Sequence, residues 1–289
     1  MTQPAQFTLA VAQFAMLEDP QQNVARACAL VREAHARGAQ VVLLPELFSS
    51  RYFPREKAAQ FFALAHGADQ DPALRALGLL AAELSIVIPV SFFERSGDAY
   101  YNSLVVLDAD GRSLGLYRKT HIPDGPGYEE KFYFRPGDTG FRVFRSRYAN
   151  LGVGICWDQW FPECARSMAL MGADVLLYPT AIGSEPTTGR DTSGPWRRAM
   201  LGHAVSNTMH VAAANRVGTE GDQVFYGTSF VADPWGEVQA ELDRTEQGLV
   251  LATIDVAQAR ADREWMGLLR DRRPEMYRAL SEVPGTIKP

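Results

Sequence analysis

The chain has 289 residues, 46% hydrophobic and 22% charged, with a net charge of -5. That is soluble globular composition, long enough for one large α/β domain or two smaller ones. No Lys/Arg cluster offers a nucleic-acid surface, no apolar run reaches bilayer length, and the three widely spaced cysteines make no disulfide framework.

The opening "MTQPAQFTLAVAQF" carries neither a basic leader nor a long apolar stretch, so neither a signal peptide nor a membrane anchor is expected. With an odd cysteine count, the expected compartment is a reducing cytoplasm. "FTLAVAQF" reads as a first strand, and "NVARACALVREAHARG" as a helix stopped at Gly38. "AQVVLLPE" is a buried strand ended by Pro45. "DPALRALGLLAAELS" is a helix with Asp71 as N-cap and Pro72 at its first position. "IVIPVSFFE" returns to strand.

Hairpin signals then take over. "YNSLVVLDADGRSLGLYRKT" places two apolar runs around Asp-Gly, and "FRVFRSRYANLGVGIC" repeats the pattern around Tyr148-Ala149-Asn150. "ECARSMALMGA" is a helix, "DVLLYPT" a strand, "PWRRAMLGHAVSNT" a helix and "HVAAANRVG" a strand. "GTSFVADPWGEV" and "GLVLATID" read as a last hairpin pair. A helical stretch is expected from roughly Val256 to Leu280, broken near Pro274. This mixture predicts an α/β fold with large mixed sheets and outer helices. No linker divides the chain, so one domain over 1–289 is expected, with a C-terminal extension from about 256.

Three polar residues follow three apolar runs: Glu46 in "VVLLPE", Lys119 in "LGLYRKTH" and Cys156 in "LGVGIC". Ligand sites in α/β sheets gather beyond the carboxyl ends of strands, so the three can converge. Their chemistry is complementary. A thiolate attacks, a carboxylate takes the thiol proton, and an ammonium holds the oxyanion that forms. Each residue alone is weak evidence, since a cysteine between apolar residues is more often packed and inert. Cys28 and Cys164 take that bland reading. The five scattered histidines show no ligand spacing, so no metal and no cofactor is expected.

"LPELF", "YRKTHIP", "YEEKFYF" with the following "PGD", and "GVGICWDQWFPE" resemble the signature segments of the nitrilase superfamily of carbon–nitrogen hydrolases. The longer stretches "RKTHIPDGPGYEEKFYFRPGDTGF", "CWDQWFPECAR" and "LLYPTAIGSEP" resemble its branch acting on N-carbamoylputrescine. The resemblance covers nearly the whole chain, in order. It implies a four-layer αββα sandwich, assembled as dimers or larger homo-oligomers. It implies Glu46 as general base, Lys119 as the oxyanion-stabilising cation, Cys156 as nucleophile, and Glu130 as a second glutamate acting on Lys119 or the attacking water. Glu129 is left as a loop charge. The implied substrate is a small carbamoyl amine, cleaved to an amine, carbon dioxide and ammonia.

A substrate ending in an ammonium calls for a carboxylate and an apolar channel. Glu185 in "IGSEP" is the first candidate for that carboxylate and Asp158 the second. Tyr52, Phe53, Tyr128, Trp157 and Trp196 are candidates for the channel. Two departures bear on the substrate: Arg51 before the Tyr-Phe pair, and Gly194-Pro195 before Trp196. The rival substrate is a carbamoyl amino acid, whose carboxylate would need an arginine such as Arg190, Arg197 or Arg198. A rival of another class is an inactive member that only binds; intact Glu46, Lys119 and Cys156 argue against it.

Overall fold

The computed structural model describes residues 3–185 and 187–281. Residues 1–2, 186 and 282–289 of the expected domain lie outside the described residues. The first apolar run forms strand β1 (Gln6–Gln13). Its side chains alternate, as strand geometry requires: Phe7, Leu9 and Val11 enter one apolar cluster, Ala10 and Ala12 another. Helix α1 (Pro20–Ala36) starts earlier than its apolar periodicity suggests, because the Asp19 carboxylate accepts the Gln21 N–H and Pro20 takes the first position. Strand β2 (Val41–Leu43) follows, then helix α2 (Pro72–Leu84), where Asp71 accepts the Leu74 N–H as its cap.

Strands β3 (Ile88–Ser96), β4 (Ala99–Leu107) and β5 (Ser113–Arg118) form an antiparallel meander. The four-residue helix α3 (Glu130–Tyr133) precedes the hairpin of β6 (Val143–Arg145) and β7 (Asn150–Val153). Helix α4 (Pro162–Leu170), strand β8 (Val175–Pro179), helix α5 (Ser193–Asn207) and strand β9 (His210–Ala214) come next. A short hairpin of β10 (Val217–Glu220) and β11 (Gln223–Tyr226) was not expected from the sequence.

Two expectations are corrected at the C-terminal end. Strand β12 (Phe230–Ala232) pairs with β13 (Val238–Glu241), so "GTSFVADPWGEV" and the residues after it form a hairpin by themselves. Asp233 closes that turn, accepting the N–H groups of Trp235 and Glu237. Strand β14 (Gly248–Asp255) leaves for the other sheet and pairs antiparallel with β1 along its whole length, from Gln6↔Asp255 to Gln13↔Gly248. The last helix, α6 (Val256–Met266), stops far short of Leu280. Gly267 ends it in the left-handed region at φ +67°, where a glycine carries no Cβ penalty. Among the described residues beyond it, the only helical elements are short 3-10 turns at Pro274–Met276 and Arg278–Ser281.

One sheet has the order β13-β12-β9-β8-β7-β6. The units β14-β1-β2 and β3-β4-β5 lie side by side, joined where Val41 bridges Val87 in parallel. Leu9, Val11, Leu43 and Val106 meet Leu151, Val153, Leu177 and Ala212 in the core between the two sheets. The opposite faces take the helices: Val31, Leu77 and Ala81 cover one sheet, while Met168, Met200 and Ala204 cover the other. The result is a four-layer αββα sandwich. Each fully buried aliphatic side chain in it contributes about 1.5–3 kcal/mol of transfer free energy.

Candidate active site

Strand direction brings the site together. β7, β8 and β9 are mutually parallel, and β5 runs with β2 because β3 is parallel to β2 and the meander reverses twice. Glu46, Lys119 and Cys156 therefore leave their strands at one end of the sandwich.

Glu46, Lys119 and Glu130 are fully enclosed and bonded to one another. Lys119 Nζ donates to Glu46 Oε1 at 2.9 Å and to Glu130 Oε1 and Oε2 at 2.9 and 2.7 Å. Asn102 Nδ2 donates to Glu46 Oε1 at 2.6 Å, and the Tyr52 hydroxyl donates to Glu130 Oε1 at 2.6 Å. Burial disfavours the charged ammonium, but Glu130 and Glu46 outweigh it, and Lys119 is held well above the ordinary lysine range. Among the described residues Glu46 Oε2 is buried with no partner. A free carboxylate oxygen in a dry site is available for a proton.

Cys156 opens a 3-10 turn (Cys156–Trp160) at φ +42°. A non-glycine residue in the left-handed region costs about 1–3 kcal/mol, and such strain clusters at functional sites. Asp158 holds the turn: Ile155 N–H donates to its Oδ2 at 2.9 Å, the Tyr117 hydroxyl to Oδ2 at 2.7 Å, and the His121 N–H to Oδ1 at 3.0 Å. The His121 Nδ1 also lies 2.7 Å from Oδ1, and its ring stacks on Phe161. Gly154 allows the close approach, because a Cβ there would lie 2.8 Å from the Tyr178 ring. The thiol sulfur sits 3.8 Å from the Ala181 carbonyl. Burial pushes this thiol well above the usual cysteine value and the Glu46 charge adds to that, against the pull of Lys119. At rest it is protonated, so nucleophilic attack requires a base within the site.

A strained buried cysteine beside a carboxylate and a lysine can form and break an acyl bond. The sequence matches the family described as carbon-nitrogen hydrolase over residues 8–264. The chain belongs to that family. An N-carbamoylputrescine amidase from Arabidopsis thaliana is 50% identical over 284 residues, which covers 95% of this chain and 95% of that protein. A citrullinase from Francisella tularensis is 47% identical over 278 residues, covering 94% of this chain and 97% of that protein. The crystal structure of a carbon-nitrogen hydrolase from Helicobacter pylori G27 superposes with a TM-score of 0.90 at 35% identity, covering 96% of this chain and 99% of that one.

The other candidate residues of this hydrolase divide into two groups. Tyr128 receives the Gly183 N–H at 3.0 Å on its hydroxyl and stacks edge-on against Tyr52 at 5.9 Å. Besides burial, the charges of both Cys156 and Glu185 raise its hydroxyl pKa. Glu185 is half-buried, and among the described residues its carboxylate has no hydrogen-bonding partner. Trp157, beside the thiol, stays 37% exposed. In the second group, three expectations are corrected. Asp158 is fully buried and its oxygens are taken by Tyr117, His121 and Ile155, so it has no capacity for a substrate ammonium. Phe53 packs among Phe61, Phe93, Tyr133 and Phe134. Trp196 is enclosed in the helix-side core against Tyr226 and Phe230.

The two departures in the sequence fall away from Glu46, Lys119 and Cys156. Arg51 pairs with Glu18 at 2.5 Å, and Gly194-Pro195 lie in the first turn of α5. Glu129 pairs with Lys57 at 2.9 Å, apart from Lys119. Arg197 is bonded to Glu241 at 2.6 Å, while Arg190 and Arg198 are exposed. Sequence reasoning missed Asn102, a polar residue inside the strand-like "YNSLVVL" with no signal of its own. It also missed Asn215 and Arg216, which follow β9 just as Cys156 follows β7; the strand-end rule could have found them. Among the described residues no three His, Cys, Asp or Glu side chains gather as a metal site, and no helix is long and apolar enough to cross a membrane.

Proposed function

We propose that this hydrolase cleaves N-carbamoylputrescine to putrescine, carbon dioxide and ammonia through a carbamoyl group carried on Cys156. Glu46 Oε2 takes the thiol proton as the sulfur attacks the carbonyl carbon. Lys119 and the Trp157 N–H receive the developing oxyanion. The carbon–nitrogen bond to putrescine breaks, and Glu46 returns the proton to the leaving amine. Water then attacks the thiocarbamate, its proton passing to Glu46 and on to the sulfur. Carbamic acid leaves and falls apart to carbon dioxide and ammonia. Glu130, held by Tyr52, keeps Lys119 in place throughout.

The observation that carries the choice of substrate is the half-buried Glu185 carboxylate, which has no hydrogen-bonding partner among the described residues and whose charge, like that of Cys156, raises the Tyr128 hydroxyl pKa. It suits the distal ammonium of a diamine. Citrulline is the second reading. It has the same ureido group but adds a carboxylate beside its amine, and the citrullinase relative favours it. Arg190, whose carbonyl accepts the Glu185 N–H at 3.1 Å, lies next to that acid and could meet the carboxylate. Glu185→Gln tests both readings. It is predicted to lower kcat/KM for N-carbamoylputrescine by about 10-fold or more, mostly through KM. For the uncharged N-butylurea the loss should be much smaller. Equal losses on the two ligands would remove Glu185 from ammonium recognition, and a higher wild-type kcat/KM on L-citrulline would replace the diamine.

We also read the chain as one cytoplasmic domain that self-associates as a dimer or larger homo-oligomer. β14 pairs with β1 along its whole length, which supports reading the strands as one domain, with α6 starting at Val256 where the extension is expected. Trp235 and Trp265 lie 6.4 Å apart, 48% and 76% exposed, an apolar face suited to a second copy. All three cysteines are free.

A further inference from the structure

Arg216 follows β9 and is completely buried. A guanidinium is taken out of water at high cost unless its donors are used, so what it holds is informative. Its Nη2 donates to the carbonyls of Glu46 at 2.8 Å and Leu47 at 3.2 Å, and its Nη1 to the carbonyl of Ser50 at 3.3 Å. Leu47 stands in the left-handed region at φ +48°. That conformation turns successive carbonyls of this loop toward one point, where only a forked cation can serve them together. Nη1 also donates to Glu220 Oε1 at 2.9 Å, and the other oxygen of Glu220 accepts the Tyr52 N–H at 2.6 Å. The guanidinium carbon lies 5.7 Å from the Tyr52 ring.

We infer that Arg216, with Glu220, is a positioning residue that fixes the loop from Glu46 to Tyr52 and through it both carboxylates around Lys119. The loop carries Glu46 at one end. At the other it carries Tyr52, whose hydroxyl bonds Glu130. One buried cation therefore sets the base and, through Tyr52, the acid that holds the oxyanion-binding ammonium. Its neighbour Asn215 makes the matching arrangement on the thiol side. It accepts the Ile182 N–H at 3.0 Å and donates to the Ile182 carbonyl at 2.9 Å, next to Ala181 beneath the sulfur. Two adjacent residues thus register the base loop against the nucleophile's support.

This inference rests on Glu46 and Lys119 acting as proposed on N-carbamoylputrescine, so the wild-type enzyme is assayed beside the variants. Arg216→Lys keeps the charge that Glu220 needs but cannot span three carbonyls. With its thermal melt and circular dichroism matching wild type, kcat is expected to fall by about 100-fold while KM stays within about threefold, because the reacting groups shift and the substrate tail does not. Arg216→Met with Glu220→Gln removes both buried charges together and should show the same split. A folded variant with kcat within about twofold of wild type, or with its whole loss in KM, overturns the assignment. If neither variant folds, Arg216 belongs to fold stability and the assignment also falls. A wild-type enzyme that leaves N-carbamoylputrescine intact sinks the substrate reading and this inference with it; an active wild type with unaffected variants sinks this inference alone.

Discussion

Glu130 is pushed up to about 7, chiefly by burial, with Lys119 pulling against that and the charge of Glu46 adding to it. Ionised, Glu130 accepts two bonds from Lys119 and one from Tyr52. As the pH falls through about 7 the carboxylate gains a proton and its hold on the ammonium weakens. The kcat is therefore predicted to be level well above pH 7, to fall through about pH 7 and to be low well below it. Glu130→Gln mimics the protonated acid at every pH, so it should lower kcat throughout, flatten that acid limb and leave KM nearly unchanged. A pH–kcat profile with the same limb in both enzymes, or a change in KM alone, would contradict this role. The residues themselves were legible to different degrees. Glu46, Lys119 and Cys156 stood out because each ends an apolar run. Glu130 was visible only through resemblance, since "YEEKFYF" offers two adjacent glutamates and no physical way to choose. Asp158 was misjudged because an acid beside a nucleophile looks the same in sequence whether it faces the substrate or the backbone. Arg216 was hidden because its partners are carbonyls, which every residue has.

Elements were most legible where a local rule sufficed. Asp71 and Pro72 start α2 as capping chemistry requires, and Asp-Gly closes the β4–β5 hairpin. They were least legible where pairing is non-local. Nothing in "GLVLATID" says that its partner is β1 at the far end of the chain rather than the neighbouring β13. Trp196 failed for a related reason: an aromatic on a helix faces a channel or a core with the same spacing. The structure encloses it among Tyr178, Met200, Tyr226 and Phe230. Trp196→Ala is accordingly predicted to cost about 3–5 kcal/mol of stability, lowering Tm on the order of 10 °C. KM measured well below that temperature should not move. A raised KM with an unchanged melting curve would return Trp196 to the channel.

At the scale of the molecule, composition and periodicity predicted only mixed α/β layers; the four-layer sandwich came from family resemblance. Its physical cause is visible in the strands. Val175 and Leu177 turn to the sheet–sheet core while Leu176 and Tyr178 turn to α4 and α5, so β8 needs cover on both faces. Two such sheets, each with one face on helices and one on its mate, place the carboxyl ends of β2, β5, β7, β8 and β9 around one cleft. The proposed chemistry then depends on a single sulfur at that end. Cys164, the other fully buried thiol, lies in α4 within the helix-side core. The most direct test is ammonia and putrescine release from N-carbamoylputrescine by wild type, Cys156→Ala and Cys164→Ala, each checked for a wild-type fold. The account predicts equimolar release by wild type, continued release by Cys164→Ala, and none above background by Cys156→Ala. Release that survives in Cys156→Ala would contradict it.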